Sequence, residues 1–193
     1  MNLPNILTIG RICAVPAFAA VLYLVDGANG RYLALAIFAA ASFTDWLDGH
    51  LARSWQMQSQ LGTMLDPIAD KLLVAAALLV LVADRTIPGL HIFAALIILS
   101  REVLVSGLRE FLASLDVRVR VTQLAKWKTA IQMIALAILI AAPALEPHIP
   151  GISTAGLGLL WAAALLTLWT GYGYLQAAVH HATANGNQSD NSA

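Results

Sequence analysis

The chain has 193 residues, 59% from the hydrophobic set and only 11% charged, less than half the charge of an average soluble domain, about 25%. Lys and Arg number 11, as do Asp and Glu, so the net charge is zero; that balance excludes a nucleic-acid partner, which asks for a basic surface. With so much apolar sequence it also excludes a disordered chain. What remains is one all-α integral membrane domain with room for about six spans of roughly 20 residues.

Six apolar stretches are expected as transmembrane helices: residues 6–25, 32–52, 61–82, 88–112, 125–145 and 157–179. The first follows no Lys or Arg, so it is expected to be retained rather than cleaved as a signal peptide. It holds the lone cysteine, Cys13, which excludes an internal disulfide. Turn chemistry separates the spans at Asp26-Gly27-Ala28-Asn29-Gly30, at Asp84 to Gly89 and at Glu146 to Gly151. The small residues of the sixth span, among them Gly156, Gly158, Gly171 and Gly173, predict close helix packing. The membrane domain is read as residues 1–180, and residues 181–193 as a disordered polar tail.

Orientation follows from the basic residues. With the N-terminus inside, the inner ends of the spans collect Arg11, Arg53, Arg109, Arg118, Arg120, Lys126 and Lys128, and the outer loops keep only Arg31 and Arg85. The positive-inside rule then places both termini in the cytoplasm of an inner membrane.

Charges inside the spans are clustered. Asp45, Asp48 and Arg53 end the second span, and Asp66, Asp70 and Lys71 begin the third. An acidic residue at a helix centre costs about 2.5–3.5 kcal/mol, a load that four aspartates carry only with strong compensation. Asp48, Gly49, Ala52 and Arg53 follow Asp45 at i+3, i+4, i+7 and i+8, on one helical face; Gly62, Asp66 and Asp70 are spaced by four on the next helix. The short link between the helices makes them antiparallel neighbours, so the four carboxylates converge near the cytoplasmic membrane interface. One arginine cannot neutralise four like charges. Two divalent cations can, and an all-oxygen donor set suits Mg²⁺ or Mn²⁺. Lys71 follows Asp70 directly and so points elsewhere.

Written out, Asp45-x₂-Asp48-Gly49-x₂-Ala52-Arg53-x₈-Gly62-x₃-Asp66-x₃-Asp70 holds eight positions within 26 residues. It resembles, without departure, the signature of the CDP-alcohol phosphatidyltransferases. The resemblance implies a membrane enzyme that moves a phosphatidyl group from CDP-diacylglycerol to an alcohol and releases CMP. It implies Asp45, Asp48, Asp66 and Asp70 as metal ligands, with Asp70 also the general base. Gly49, Ala52, Arg53, Ser59 and Gly62 become the CDP-lipid-binding set, and the protein is expected to form a homodimer among membrane lipids.

Basic residues crowd the same end beyond the motif: Arg109, Arg118, Arg120, Lys126 and Lys128, with Arg101 deeper beside Glu102. Positive-inside bias accounts for part of this excess. A cationic pocket implies an anionic acceptor. Residues 101–110 and 126–129, with Pro4 to Thr8, Arg11 and Pro16, resemble the phosphatidylglycerophosphate synthase branch, whose acceptor is glycerol 3-phosphate. Arg101, Arg109, Arg118, Lys126 and Lys128 are thus expected to bind its phosphate, with Glu102 either holding Arg101 or Arg109 or forming a salt bridge that packs helices. The alternatives are another acceptor (inositol phosphate or serine), a divalent-cation transporter and an inactive scaffold. A transporter asks for acids at successive depths and a scaffold for a broken motif, and neither pattern is present.

Overall fold

In lipid, an apolar run must satisfy its own backbone hydrogen bonds, and helices do so within one segment. The computed structural model describes residues 3–55, 60–114 and 123–189. They form α1 (Leu3–Leu24), α2 (Gly27–Trp55), α3 (Gln60–Ala83), a 3₁₀ turn (Gly89–His91), α4 (Ile92–Ser114), α5 (Gln123–Leu145) and α6 (Ile152–Ser189). The described residues contain six α-helices and no strand. By length and composition, Gly89–Leu112, Trp127–Leu145 and Ile152–Gly173 are long and apolar enough to cross a bilayer; the apolar helical stretches Thr8–Leu24 and Lys71–Ala83 are shorter.

The start of α2 and both ends of α6 lie five or more residues from expectation. The Asp26–Gly30 turn collapses to a tight corner: Gly27 takes φ +77° and α2 begins there. Gly30 lies so close to the preceding residues that a Cβ would run into the Val25 carbonyl oxygen. Only glycine fits that approach. At the other terminus α6 continues to Ser189, so residues 181–189 are helical where a disordered tail was expected. No proline follows Pro150 to stop the helix, and polar composition alone does not end one.

The core lies where α1, α2, α3 and α5 meet and continues along α4 and α6. Phe18 of α1 and Phe38 of α2 stack in a tilted pair, ring centres 6.0 Å apart. Leu73 and Leu81 of α3, Ile98 of α4, Leu136 and Leu139 of α5, and Leu160 of α6 are fully buried around them. Leu79, Val103, Leu165 and Trp169 stay more than 60% exposed, an apolar outer surface that suits lipid rather than water.

α6 packs most extensively on α5 and α4. Two of its glycines make that approach possible: Gly156 faces Ile138 and Leu139 of α5, and Gly171 faces Arg101 and Val105 of α4. Gly158 and Gly173 face open space. At the end of the bundle opposite the aspartate motif, Arg31 of α2 pairs with Asp84 just beyond α3 at 2.8 Å. Asp84 also accepts from the Thr86 backbone N–H at 2.8 Å. The pair joins the start of α2 to the end of α3, so the two helices run antiparallel. Glu146 caps α6: its carboxylate accepts from the Gly151 N–H at 2.8 Å, the Ser153 N–H at 2.9 Å and the Ser153 hydroxyl at 2.5 Å. The Ser153 hydroxyl, then the two N–H groups, hold the Glu146 carboxyl below its ordinary pKa.

Candidate active site

The backbone of α2 is helical through residues 45–53, and that of α3 through 62–70. The spacing of three, four, seven and eight therefore does put Asp45, Asp48, Gly49, Ala52 and Arg53 on one face of α2, and Gly62, Asp66 and Asp70 on one face of α3. The two helices are in contact and antiparallel. The side chains of these eight positions, and that of Lys126 on α5, lie outside the described residues, as do Ser59 and Arg118 altogether. Among the described residues no three His, Cys, Asp or Glu side chains gather.

Behind the motif the structure builds a buried ionic group. Lys128 of α5 pairs with Glu102 of α4, and Arg101 reaches the same carboxylate oxygen at 3.5 Å. Arg101 and Lys128 are 9% and 4% exposed. A second donor of Arg101, Nη2, gives a 3.0 Å hydrogen bond to Thr170 Oγ1 on α6. Thr170 in turn donates to the Leu166 carbonyl at 2.9 Å. A Cβ on Gly171 would lie 3.3 Å from Arg101 Cγ; the absent side chain makes room for the arginine stem. Arg101 is thus anchored to α6 as well as to Glu102.

Lys71, Val74, Glu102, Lys128, Thr129 and Gln132 enclose a small cavity of about 20 Å³. The buried Gln132 Oε1 has no hydrogen-bond partner among the described residues. Lys71, one residue beyond Asp70, brings α3 to this cavity. Lys71 and Lys128 both line this cavity beside Glu102.

The acceptor-site expectations therefore divide. Arg101 and Lys128 come together, with Glu102 between them. Arg109 is exposed on α4, eight residues or about 12 Å along the helix from Arg101, and Glu102 engages Lys128 rather than Arg109. Lys71, Gln132 and Thr170 were not singled out as acceptor-site residues. Only for Lys71 did the sequence carry a signal, since its position after Asp70 turns it away from the motif face.

The chain matches the CDP-alcohol phosphatidyltransferase family over residues 1–169, and it belongs to that family. It is 44% identical to the CDP-diacylglycerol–glycerol-3-phosphate 3-phosphatidyltransferase of Rickettsia bellii, across 91% of this chain and 94% of that protein. It is 42% identical to the protein of Arabidopsis thaliana named CDP-diacylglycerol–glycerol-3-phosphate 3-phosphatidyltransferase 2, across 88% of this chain and 76% of that one. A cardiolipin synthase (CMP-forming) of Oryza sativa subsp. japonica is 40% identical across 88% of this chain and 55% of its own length. The family and the apolar helices together make this an integral membrane protein.

Proposed function

We propose that the protein transfers a phosphatidyl group from CDP-diacylglycerol to sn-glycerol 3-phosphate, giving phosphatidylglycerophosphate and CMP. The observation that carries this reading is the unbroken eight-position motif on α2 and α3, in a chain whose full-length relatives bear that enzyme's name. The acceptor hydroxyl oxygen forms a bond to the phosphorus that bears the diacylglycerol. The bond from that phosphorus to the bridging oxygen of the pyrophosphate breaks, and CMP leaves with the oxygen.

Asp45, Asp48, Asp66 and Asp70 are the ligands for two divalent cations; an all-carboxylate set spaced along two helical faces fits Mg²⁺ or Mn²⁺. When bound, the ions supply positive charge opposite the pyrophosphate oxygens. Asp70 takes the proton of the acceptor hydroxyl. Gly49, Ala52 and Gly62 keep the helix faces low beside the CDP group, and Arg53 and Ser59 bind it. Lys128 and Arg101, steadied by Glu102, hold the acceptor phosphate, with Arg109, Arg118 and Lys126 on its approach. In this reading the chain crosses the inner membrane six times, the excess of Lys and Arg at one end puts both termini and the site on the cytoplasmic side, and the protein works as a homodimer. Residues 1–180 form the membrane domain.

The test is CMP release by purified protein from CDP-diacylglycerol with Mg²⁺ or Mn²⁺ and one acceptor at a time. Release is expected with glycerol 3-phosphate and is lost on chelation by EDTA. No release with any acceptor overturns the transferase reading. Release with serine or inositol phosphate alone overturns only the acceptor, and cardiolipin as product moves the reading to that of the rice relative.

A further inference from the structure

α3 packs on α4 and α5 far more sparsely than α6 does, although α3 carries half of the aspartate motif and α4 and α5 carry the cationic group. The cavity bounded by Lys71 and Val74 of α3, Glu102 of α4, and Lys128, Thr129 and Gln132 of α5 lies across that sparse joint. Its volume of about 20 Å³ exceeds the roughly 10–15 Å³ that one water molecule requires and admits little more.

Gln132 is 2% exposed. It stands four residues beyond Lys128 on α5, so the two side chains share a helical face. Its Oε1 accepts no hydrogen bond from any described residue, and a buried amide oxygen left in that condition is costly. Glu102 presents the matching need. Arg101 and Lys128 both reach its Oε1, which leaves Oε2 to accept from a further donor. Two acceptors thus border one small polar space, beside lysine ammonium groups that carry three N–H each. A water molecule fits this set: it has two hydrogens for the two acceptors and a lone pair for an ammonium. That makes three hydrogen bonds, the usual number for a buried water.

We propose that this cavity binds one water molecule, which donates to Gln132 Oε1 and Glu102 Oε2 and accepts from a lysine ammonium, and that Gln132 is through it a positioning residue for Lys128. By fixing Oε2, the water holds the Glu102 carboxylate in the orientation that keeps Oε1 on Lys128 and Arg101. The hydration site stands on the cavity and its lining; the positioning role rests on the transferase reading, in which Lys128 binds the acceptor phosphate.

Three measurements on the full chain test it. A crystal structure at a resolution that shows ordered waters is expected to place one between Gln132 and Glu102; well-ordered side chains with no water between them overturn the site. Thermal unfolding in detergent supplies a sign. Methionine matches glutamine in length and lacks the amide. With the water bound, Gln132→Met breaks the bridge at Glu102 and lowers the Tm by a few degrees. With Oε1 merely orphaned, the same change relieves a buried polar group, and an unchanged or raised Tm therefore overturns the site. In kinetics, Gln132→Met is expected to raise the glycerol 3-phosphate KM about three- to tenfold, the worth of one hydrogen bond between neutral groups, with kcat and the donor KM little changed. Gln132→Asn keeps the amide and should recover part of the loss. An unchanged acceptor KM, or an equal rise for donor and acceptor, overturns the positioning role. The two readings fail separately, because the water and the Tm are read without turnover. If the unaltered protein releases no CMP, the transferase reading falls and the positioning role with it, while the hydration site is still decided. If CMP is released and the water is not there, only the site falls.

Discussion

Glu102 is the residue on which the buried charges turn. It takes one cation from its own helix and one from α5, and without it Arg101 and Lys128 repel each other in a medium that screens little. Removing one partner of a buried pair costs about 3–5 kcal/mol because the other charge is stranded. Lys128→Met is therefore expected to lower stability and to raise the glycerol 3-phosphate KM by roughly 10- to 100-fold, the worth of a hydrogen bond to a charged group. The donor KM should move less. The double change Lys128→Met with Glu102→Gln separates the two roles: thermal stability should largely return while the acceptor KM stays high. Recovery of both would show that Lys128 serves packing alone. Glu102 and its neighbour Arg101 stood out in the sequence because ionisable residues deep in a span demand partners. Its actual partner, 26 residues away on another helix, has no local signature.

Helix ends carry a different kind of information. The α5–α6 turn at Glu146 to Gly151 is legible as a break from its two prolines and glycine. The cap itself is a further step: Glu146 reaches past the turn to the first N–H groups of α6, where helix-end dipoles favour a negative charge. Because folding lowers this carboxyl's pKa from the ordinary 4.5, the cap contributes stability above that pH. The contribution is lost as the pH falls through the depressed folded value. Glu146→Gln should therefore lower the Tm in detergent at neutral pH, and the two proteins should converge well below pH 4.5. A Tm gap that persists in acid would mean the amide loses something other than charge. The tail of α6 shows the reverse case: a polar stretch reads as a loose end by composition, yet the helix continues through it to Ser189.

At the scale of the whole molecule, α6 is the element that keeps the cationic group against the motif helices, since it packs on both α4 and α5. Its contact with α4 runs through Gly171 and Thr170 onto Arg101. Gly171→Leu fills the room taken by the arginine stem. Over-packing of this kind costs about 1–3 kcal/mol. The expected result is a lower Tm together with a raised acceptor KM, and a raised KM with no change in Tm would place Gly171 in direct contact with substrate instead.

The aspartate motif, the helix faces that carry it and the family were all legible in the sequence. Helical periodicity is local, and a spacing of three and four residues maps to one face without knowledge of any neighbour. Which cation meets Glu102, why Arg101 turns to α6, and that α3, α4 and α5 close a small polar cavity beside Gln132 were decided only by tertiary packing. Those contacts join residues far apart in the chain, and an apolar span reads alike whether it faces lipid, a neighbouring helix or a cavity.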